Sequence, residues 1–509
     1  MPPSPGTPER GAPGAEAFRD RADACPGALR LHPAHDGGLA RVRIPGGLLT
    51  VDQARVLAAA AEDLGDGNLD LTSRGNVQLR GLGEDAGRAL AGLLEGAGLL
   101  PSRRHERVRN IVASPLSGLD GRGHADVRGI VGELDALLCA SDAAPALSGR
   151  FLFAVDDGRG DTAALGADVT ITALPGGAVG LRLGERTLSV PRDGAARWAV
   201  RAAEVFLDLA RERGLGATAW RLADVDPDGG AVAARLGLPP AEPEAASPSD
   251  PSGAAIPSAA SRTASQAAGP AAPSGPGGST APRPLLGLID RPAGSARTAL
   301  SVAVPLGRAT AAQWRDLAAA AERGAGELRV TPWRGVVLPG LESGAAADVL
   351  AALAAVGLVT GDDSPWAGVS ACTGRPGCAA ALADVRADAA AVLDSHPVVP
   401  QPGRRPVHRS GCEPGVADPS VRPRPLVDGS GREPGVTDAS DRPRLPVHWS
   451  GCERRCGHPS GRWVDAVAIG DGRYRITPRG GGPGEREAAH GGLGAAVAAA
   501  RTTPPPRDM

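Results

Sequence analysis

The chain of 509 residues contains no lysine, so every basic side chain apart from histidine is arginine, and aromatic residues amount to only 2%. With 72 glycines and 48 prolines this reads as a GC-rich coding bias, in which arginine carries meaning only where it clusters. Apolar residues still reach 42%, mostly Ala, Val and Leu, which is enough for packed cores, and the length implies two to four domains. No charge sign dominates: a net charge of −2 offers no overall field for a nucleic acid. There is no run of the about 18 apolar residues that a membrane helix needs. The opening MPPSPGTPERGAPGAEAFRD lacks the apolar centre of a signal peptide. Cysteine is scarce as well. Seven of them without an export signal point to a reducing, cytoplasmic setting, where they serve as ligands or bystanders rather than disulfides.

What the chain does have is repetition. TVDQARVLAAAAEDLGDGNLDLTSRG (50–75) returns as TAAQWRDLAAAAERGAGELRVTPWRG (310–335), matching Thr50 to Thr310, Gln53 to Gln313 and Arg74-Gly75 to Arg334-Gly335. Each copy opens on Thr-x-x-Gln, a capping box that satisfies the first free amides of a helix. Each continues into a β-type segment (NVQLRGL, GVVLPGL) and a second helix (DAGRALAGLLEGAGLL, SGAAADVLAALAAVGLV). The economical reading is a duplicated α+β half. Residues 145–236 add strands at FLFAV and DVTITAL and a helix over 195–213. The expected division is a disordered segment 1–30, a half-domain 31–110, an α/β domain 111–240, a disordered Ala/Ser/Pro/Gly linker 241–284, a second half-domain 285–362, a second α/β domain 363–485 and a tail 486–509.

A shorter repeat reads SGCEPGV at 410, SGREPGV at 430 and SGCERRC at 450. Its units are rich in Pro, Gly and Arg and lack the shared apolar face of a solenoid, so 405–449 reads as a tandem expansion looped out at the surface. Only the last copy carries a cysteine pair, Cys452 and Cys456, because Val416 stands where a partner for Cys412 would be. Cys372 and Cys378 form a C-x5-C just before a predicted helix. Two thiolate pairs among small residues suit an iron–sulfur cluster. Structural zinc remains open, although its pairs are usually C-x2–4-C, and so does an unligated state. Cys25 and Cys139 read as plain small residues. In the first half the place of ACTGRPG is taken by ASPLSG (113–118), and arginines gather instead: Arg41, Arg74, Arg80 and Arg109 offer forks for carboxylates, or else a solvated face.

Together these motifs resemble the siroheme-dependent sulfite/nitrite reductase superfamily. Its ordered elements stand here as RVRIPGG, LTSRGNVQ, RNI, CTGRPGC and GCERRC. The resemblance implies an α+β fold of duplicated halves, ferredoxin-like half-domains plus mixed α/β cluster and tetrapyrrole domains, related by pseudo-twofold symmetry. It implies that Cys372, Cys378, Cys452 and Cys456 all hold a 4Fe-4S cluster, with Cys456 facing the tetrapyrrole. Thr72, Arg74, Gln78 and Arg80 would contact the macrocycle's carboxylates, and Arg41 and Arg109 would bind anions over its distal face.

One departure separates members of the superfamily. The reductases carry a lysine-rich L-P-R-K-F-K strand; here LSGRFLF puts Arg150 at the first lysine and Leu152 at the second. Losing that cation removes a group that six-electron reduction of an oxyanion relies on. GRFLFAVDDGRGD, ELRVTPWRGVVLPGL and HWSGC are similar instead to the precorrin-3B synthase branch. There the tetrapyrrole is the substrate: precorrin-3A is hydroxylated at a meso carbon with O2, and a ring-A acetate closes a lactone, in aerobic cobalamin biosynthesis. With no G-x-G-x-x-G after a strand and no flavin motif, electrons would come from a separate donor protein or an NAD(P)H-linked reductase. A mononuclear non-heme iron stays open. His124 is a candidate for proton handling, set against the structural role a lone histidine usually has. The alternatives are a siroheme-dependent sulfite or nitrite reductase and a non-catalytic iron–sulfur electron carrier.

Overall fold

The computed structural model describes residues 26–241, 285–290, 292, 294–394, 444–459, 461–479 and 486–501. Cys25, the linker at 242–284, Cys412 and the repeat units up to residue 443 lie outside the described residues.

Strand alternation builds the first layer. In Gly37–Val42, Asn68–Leu71 and Val77–Leu82, the side chains of Ala40, Val42, Leu69, Leu71, Val77 and Leu79 point to one side and are buried. Helices Val51–Leu64 and Ala86–Gly96 cover that side. The other face therefore carries Arg41, Asp70, Gln78 and Arg80, with Gln78 directly opposite both Arg41 and Asp70. The second copy repeats the layer with Arg297–Ala303, Glu327–Val330 and Gly335–Glu342 under Ala311–Glu322 and Ser343–Ala355. The two copies exchange strands. Leu48–Thr50 pairs with Glu327, Leu328 and Arg329, and Arg308–Thr310 pairs with Asn68, Leu69 and Asp70. Each sheet thus ends in a strand of the other copy, and both helix pairs share one core. Both expected capping boxes are present: Thr50 Oγ1 accepts from the Gln53 amide (3.2 Å) and Thr310 Oγ1 from the Gln313 amide (3.1 Å).

The repeat alignment needs one correction. Thr72 and Asn76 close a turn through Thr72 N–H to Asn76 O (2.9 Å) and Asn76 N–H to Thr72 Oγ1 (3.1 Å). Thr331 and Gly335 make the same two bonds at 2.9 and 3.1 Å. A residue is missing from the second copy before this turn, so Arg334 corresponds to Gly75 and not to Arg74; both have positive φ, 58° and 65°.

Each half continues into an outer α/β domain of identical topology. Ile111–Ala113, Phe153–Asp156 and Val169–Ala173 are parallel and are followed by the antiparallel Val179–Leu183 and Arg186–Val190. Val369–Ala371, Val447–Ser450 and Trp463–Gly470 are likewise parallel, followed by Arg473–Arg479 and Arg486–Ala489. Three boundaries differ from expectation. Ala28 is buried, and its amide and that of Leu29 bond Glu106, so order begins before residue 30. The segment 486–501 is an edge strand plus helix His490–Arg501, whose Leu493, Val497 and Ala500 stripe enters the core despite its small, glycine-rich composition. Residues 447–449, assigned to the surface repeat, form a central strand with Trp449 fully buried.

Candidate functional site

The polar face of each inner sheet meets the outer domain of the other half. Arg329, on the second sheet, donates to the carbonyls of Pro115 (2.9 Å) and Ser117 (2.8 Å) in the first half's ASPLSG loop. Reciprocally, Arg80 on the first sheet donates to the Gly377 carbonyl (2.9 Å) inside the C-x5-C loop. Asp70, on the same face, accepts from Arg386 Nη2 (2.9 Å), whose Nε donates to the Cys372 carbonyl (3.2 Å). The face bearing Arg41, Gln78 and Arg80 is thereby joined to the cysteine loops.

The two cysteine pairs converge. Cys372, Cys378 and Cys452 are half-buried and Cys456 is exposed. Although the residue is exposed, partial desolvation of its sulfur pushes the Cys456 thiol up, and the nearby Cys372, Cys452 and Cys378 add to the rise. Burial also raises Cys372, opposed by the Gly451 and Gly374 amides; Gly451 N–H donates to its sulfur at 3.2 Å. Backbone donors to sulfur and close approach by glycine are what an iron–sulfur centre uses. A Cβ on Gly451 would meet Ala381 at 2.6 Å, and one on Gly374 would meet Val385 at 2.7 Å. No three of these sulfurs lie within 4.8 Å of one another among the described residues. A tetrahedral zinc with about 2.3 Å bonds would bring them to roughly 3.8 Å. The donor set fits a larger inorganic core better than a single ion. The helix expected directly after Cys378 begins only at Val385. Residues 379–383 instead wrap back, with Ala381 N–H on Cys378 O (3.0 Å) and Leu382 N–H on Gly451 O (2.8 Å).

Two residues missed in the sequence reading support the Cys452–Cys456 turn. His448 is fully buried, with Nε2 3.1 Å from the Cys456 carbonyl and Nδ1 2.8 Å from Ser370 Oγ. A carbonyl can only accept, so Nε2 carries the proton and the Ser370 hydroxyl donates to Nδ1. Burial, reinforced by Arg334, holds His448 well below its usual range and keeps it neutral. Arg334 is 9% exposed and donates through Nη2 to the Gly457 carbonyl. Burial and then Arg386 pull its pKa down to about 10. HWSGC held the signal for His448. Arg334 was obscured by the slipped alignment.

The predicted arginines divide. Arg41 is half-buried and bonds Gln78, whose amide oxygen, once turned toward it, accepts from Nη2 at 2.5 Å and Nε at 3.1 Å. Thr72 and Arg74 sit half-buried in the adjoining turn. Arg80 and Arg109, expected as open forks, are closed by the protein. Arg80 grips Asp36 through two 2.8 Å bonds. Arg109 grips Asp135 through two 2.7 Å bonds and donates to Leu99 O at 2.9 Å. Both guanidinium groups are buried, and a buried charge takes the carboxylate at hand. Arg150 is exposed, with its guanidinium 4.1 Å from the Trp220 ring centre. Leu152 is buried against Val112 and Ala154. His124 is exposed.

The first half's counterpart of the cysteine site is made of oxygen. Ser114 occupies the strand-end position of Cys372, and Asp157 N–H donates to its Oγ (3.1 Å) as Gly451 N–H does to Cys372 sulfur. Asp156, Asp157 and Asp161 lie within 4.8 Å of one another, all buried. Asp156 accepts from Gly158, Gly160, Thr162 (amide and hydroxyl) and Ala163, and Asp157 is paired with Arg159 at 2.7 Å. These carboxylates are already satisfied by protein donors and do not fit a mononuclear iron. Burial pushes Asp161 up to about 7, with Ser114 and Arg159 pulling down and Asp156 and Asp157 pushing up.

Comparison with known proteins agrees with this arrangement. The nitrite/sulfite reductase ferredoxin-like half-domain matches residues 32–96 and 291–356. A precorrin-3B synthase from Sinorhizobium sp is 27% identical over 80% of this chain and 81% of its own. A ferredoxin–nitrite reductase from Leptolyngbya laminosa is 41% identical, but over 19% of this chain and 20% of its own. The Mycobacterium tuberculosis NirA structure superposes with a TM-score of 0.61 at 17% identity, covering 90% of this chain and 79% of that one, a likeness of fold. The chain thus carries the nitrite/sulfite reductase ferredoxin-like half-domain twice, the two copies exchanging strands around a shared core.

Proposed function

We propose that the protein is a precorrin-3B synthase-type monooxygenase, hydroxylating precorrin-3A at a meso carbon with O2, with lactone closure by the ring-A acetate. A 4Fe-4S cluster would be held by Cys372, Cys378, Cys452 and Cys456. The observation that carries this reading is the joining of the polar sheet face to the cysteine loop through Arg80 and Gly377. The sheet face that bears the candidate anion-binding side chains is then in direct contact with the loop that bears Cys372 and Cys378. Leu152 favours the synthase over a reductase, because an apolar side chain buried among Val112 and Ala154 cannot deliver charge to a bound oxyanion.

When bound, the cluster would supply electrons for oxygen activation. One oxygen atom enters the product and the other leaves as water, with two electrons and two protons drawn from a separate donor. The side chains bind and orient. Arg41 and Arg74 take substrate carboxylates, each charge-assisted hydrogen bond being worth about 1.5–3 kcal/mol. Thr72 and Gln78 add neutral partners, and Arg150, exposed over the Trp220 ring, adds a further cation. Arg80 and Arg109 act from behind: one locks the cysteine loop onto the sheet, the other anchors the RNI segment.

The test is the visible spectrum with iron and sulfide analysis of anaerobically purified protein, followed by a precorrin-3A assay under O2. Broad cluster absorption, about four irons per chain and oxygen-dependent product formation are expected. Tightly bound siroheme with sulfite or nitrite turnover would move the protein to the reductases. Absence of iron after reconstitution would sink both readings.

A further inference from the structure

Arg334 is one of three non-glycine residues with positive φ among the described residues, at 58°. Its counterpart in the other half is Gly75, the residue such a turn ordinarily takes. The side chain is buried, and the space it fills is shaped for it: a Cβ on Gly307 would lie 2.3 Å from its Cδ. Its one side-chain hydrogen bond among the described residues goes to the Gly457 carbonyl, next to Cys456. No described carboxylate forms an ion pair with it, since Asp70 on that side is taken by Arg386. A strained backbone and a desolvated cation without a carboxylate are retained where something else compensates. Asp70, already shared with Arg386, and then Cys372 favour the cation, and the cysteine sulfurs become anionic once they hold a ligand.

We propose that Arg334 is a positioning residue for the Cys452–Cys456 turn, a buried cation whose counter-charge is the group the four cysteines hold, so that it governs both retention and reduction potential of that group. This rests on the cluster reading above.

Arg334→Gly gives the turn the residue found in its twin and relieves the backbone, so the apo fold should survive with an undiminished Tm. Arg334→Gln keeps the bulk without the charge, and Arg334→Lys keeps the charge. The reconstituted proteins are compared by loss of iron to a chelator and by an electron-paramagnetic-resonance redox titration. The Gly and Gln variants should lose iron roughly tenfold faster or more than the parent and titrate at a more negative potential, because a nearby cation favours the reduced, more anionic state. The Lys variant should stay near the parent. Unchanged iron retention and potential in both Gly and Gln variants would overturn the proposal while the parent's iron leaves the cluster reading intact. A parent that takes up no iron and sulfide would overturn both.

Discussion

The two outer domains share a backbone and differ in chemistry, and the place where they differ is one loop pair. At matching strand ends stand Ser114 and Cys372, each receiving an amide from the partner loop. In the first half the segment around that amide carries Asp156, Asp157 and Asp161, tied down by the amides of the following loop, by Ser114 and by Arg159. In the second half the segment carries Cys452 and Cys456, and among the described residues a hydrogen bond to a sulfur goes from Gly451 to Cys372. One duplicated frame has been closed on itself in one copy and left with ligand capacity in the other. Capacity follows from unspent donor atoms, whatever the residue count.

The largest effect expected from this contrast concerns the thiols. Cys372→Ser and Cys452→Ser should each abolish iron and sulfide content after anaerobic reconstitution, while Cys412→Ser, in the echo without a partner cysteine, should retain the full complement. Equal loss from Cys412→Ser would break the assignment of the ligating pair.

Burial sorts the arginines in a similar way. Arg109 is buried in a bidentate pair with Asp135, and removing one partner strands the other charge. Arg109→Ala should cost about 3–5 kcal/mol in chemical denaturation. Arg41, half-buried on Gln78, should cost no more than about 1.5 kcal/mol when changed to Ala, yet that substitution should abolish most precorrin-3A turnover. A stable Arg109→Ala protein would mean that its pairing with Asp135 is incidental.

Much of this was legible in residues and some was not. Thr-x-x-Gln marked both helix starts because a capping box is a local device, satisfied within four residues. The cysteine pairs and RVRIPGG were legible as motifs. Which arginines are closed by carboxylates was not, because that depends on Asp36 and Asp135, distant in sequence from Arg80 and only brought close to Arg109 by the fold. The strand exchange was hidden for the same reason: Leu48–Thr50 and Arg308–Thr310 are too short to show which sheet they join. Arg334 was misread through a single deleted residue, which shifts every later correspondence and which only the hydrogen-bonded turn reveals.

The aspartate loop gives a pH signature below neutrality. Asp161, with a folded pKa of about 7, keeps a proton that an unfolded Asp releases near pH 3.9. Its contribution to stability is therefore greatest at low pH, falls as pH rises between these values at up to about 1.4 kcal/mol per unit, and levels off above 7. Asp161→Asn should flatten that part of the stability–pH curve measured by urea denaturation. A slope unchanged in the variant would assign it to another group.

The smallest effect tests the symmetry itself. Thr50 and Thr310 cap their helices with the same two bonds, at 3.2 and 3.1 Å in one and 3.1 and 3.0 Å in the other. Both are exposed, and in both the Gln side chain also reaches a carbonyl at the end of the following helix, Ala97 or Val356. Each Thr→Ala change should cost about 1 kcal/mol. The double variant should show simple additivity, because the helices meet through their alanine faces and not through their caps. A clear excess at Thr310 would indicate that the copy leading into the cysteine domain depends more on its helix start, and that the halves have diverged in stability as well as in chemistry.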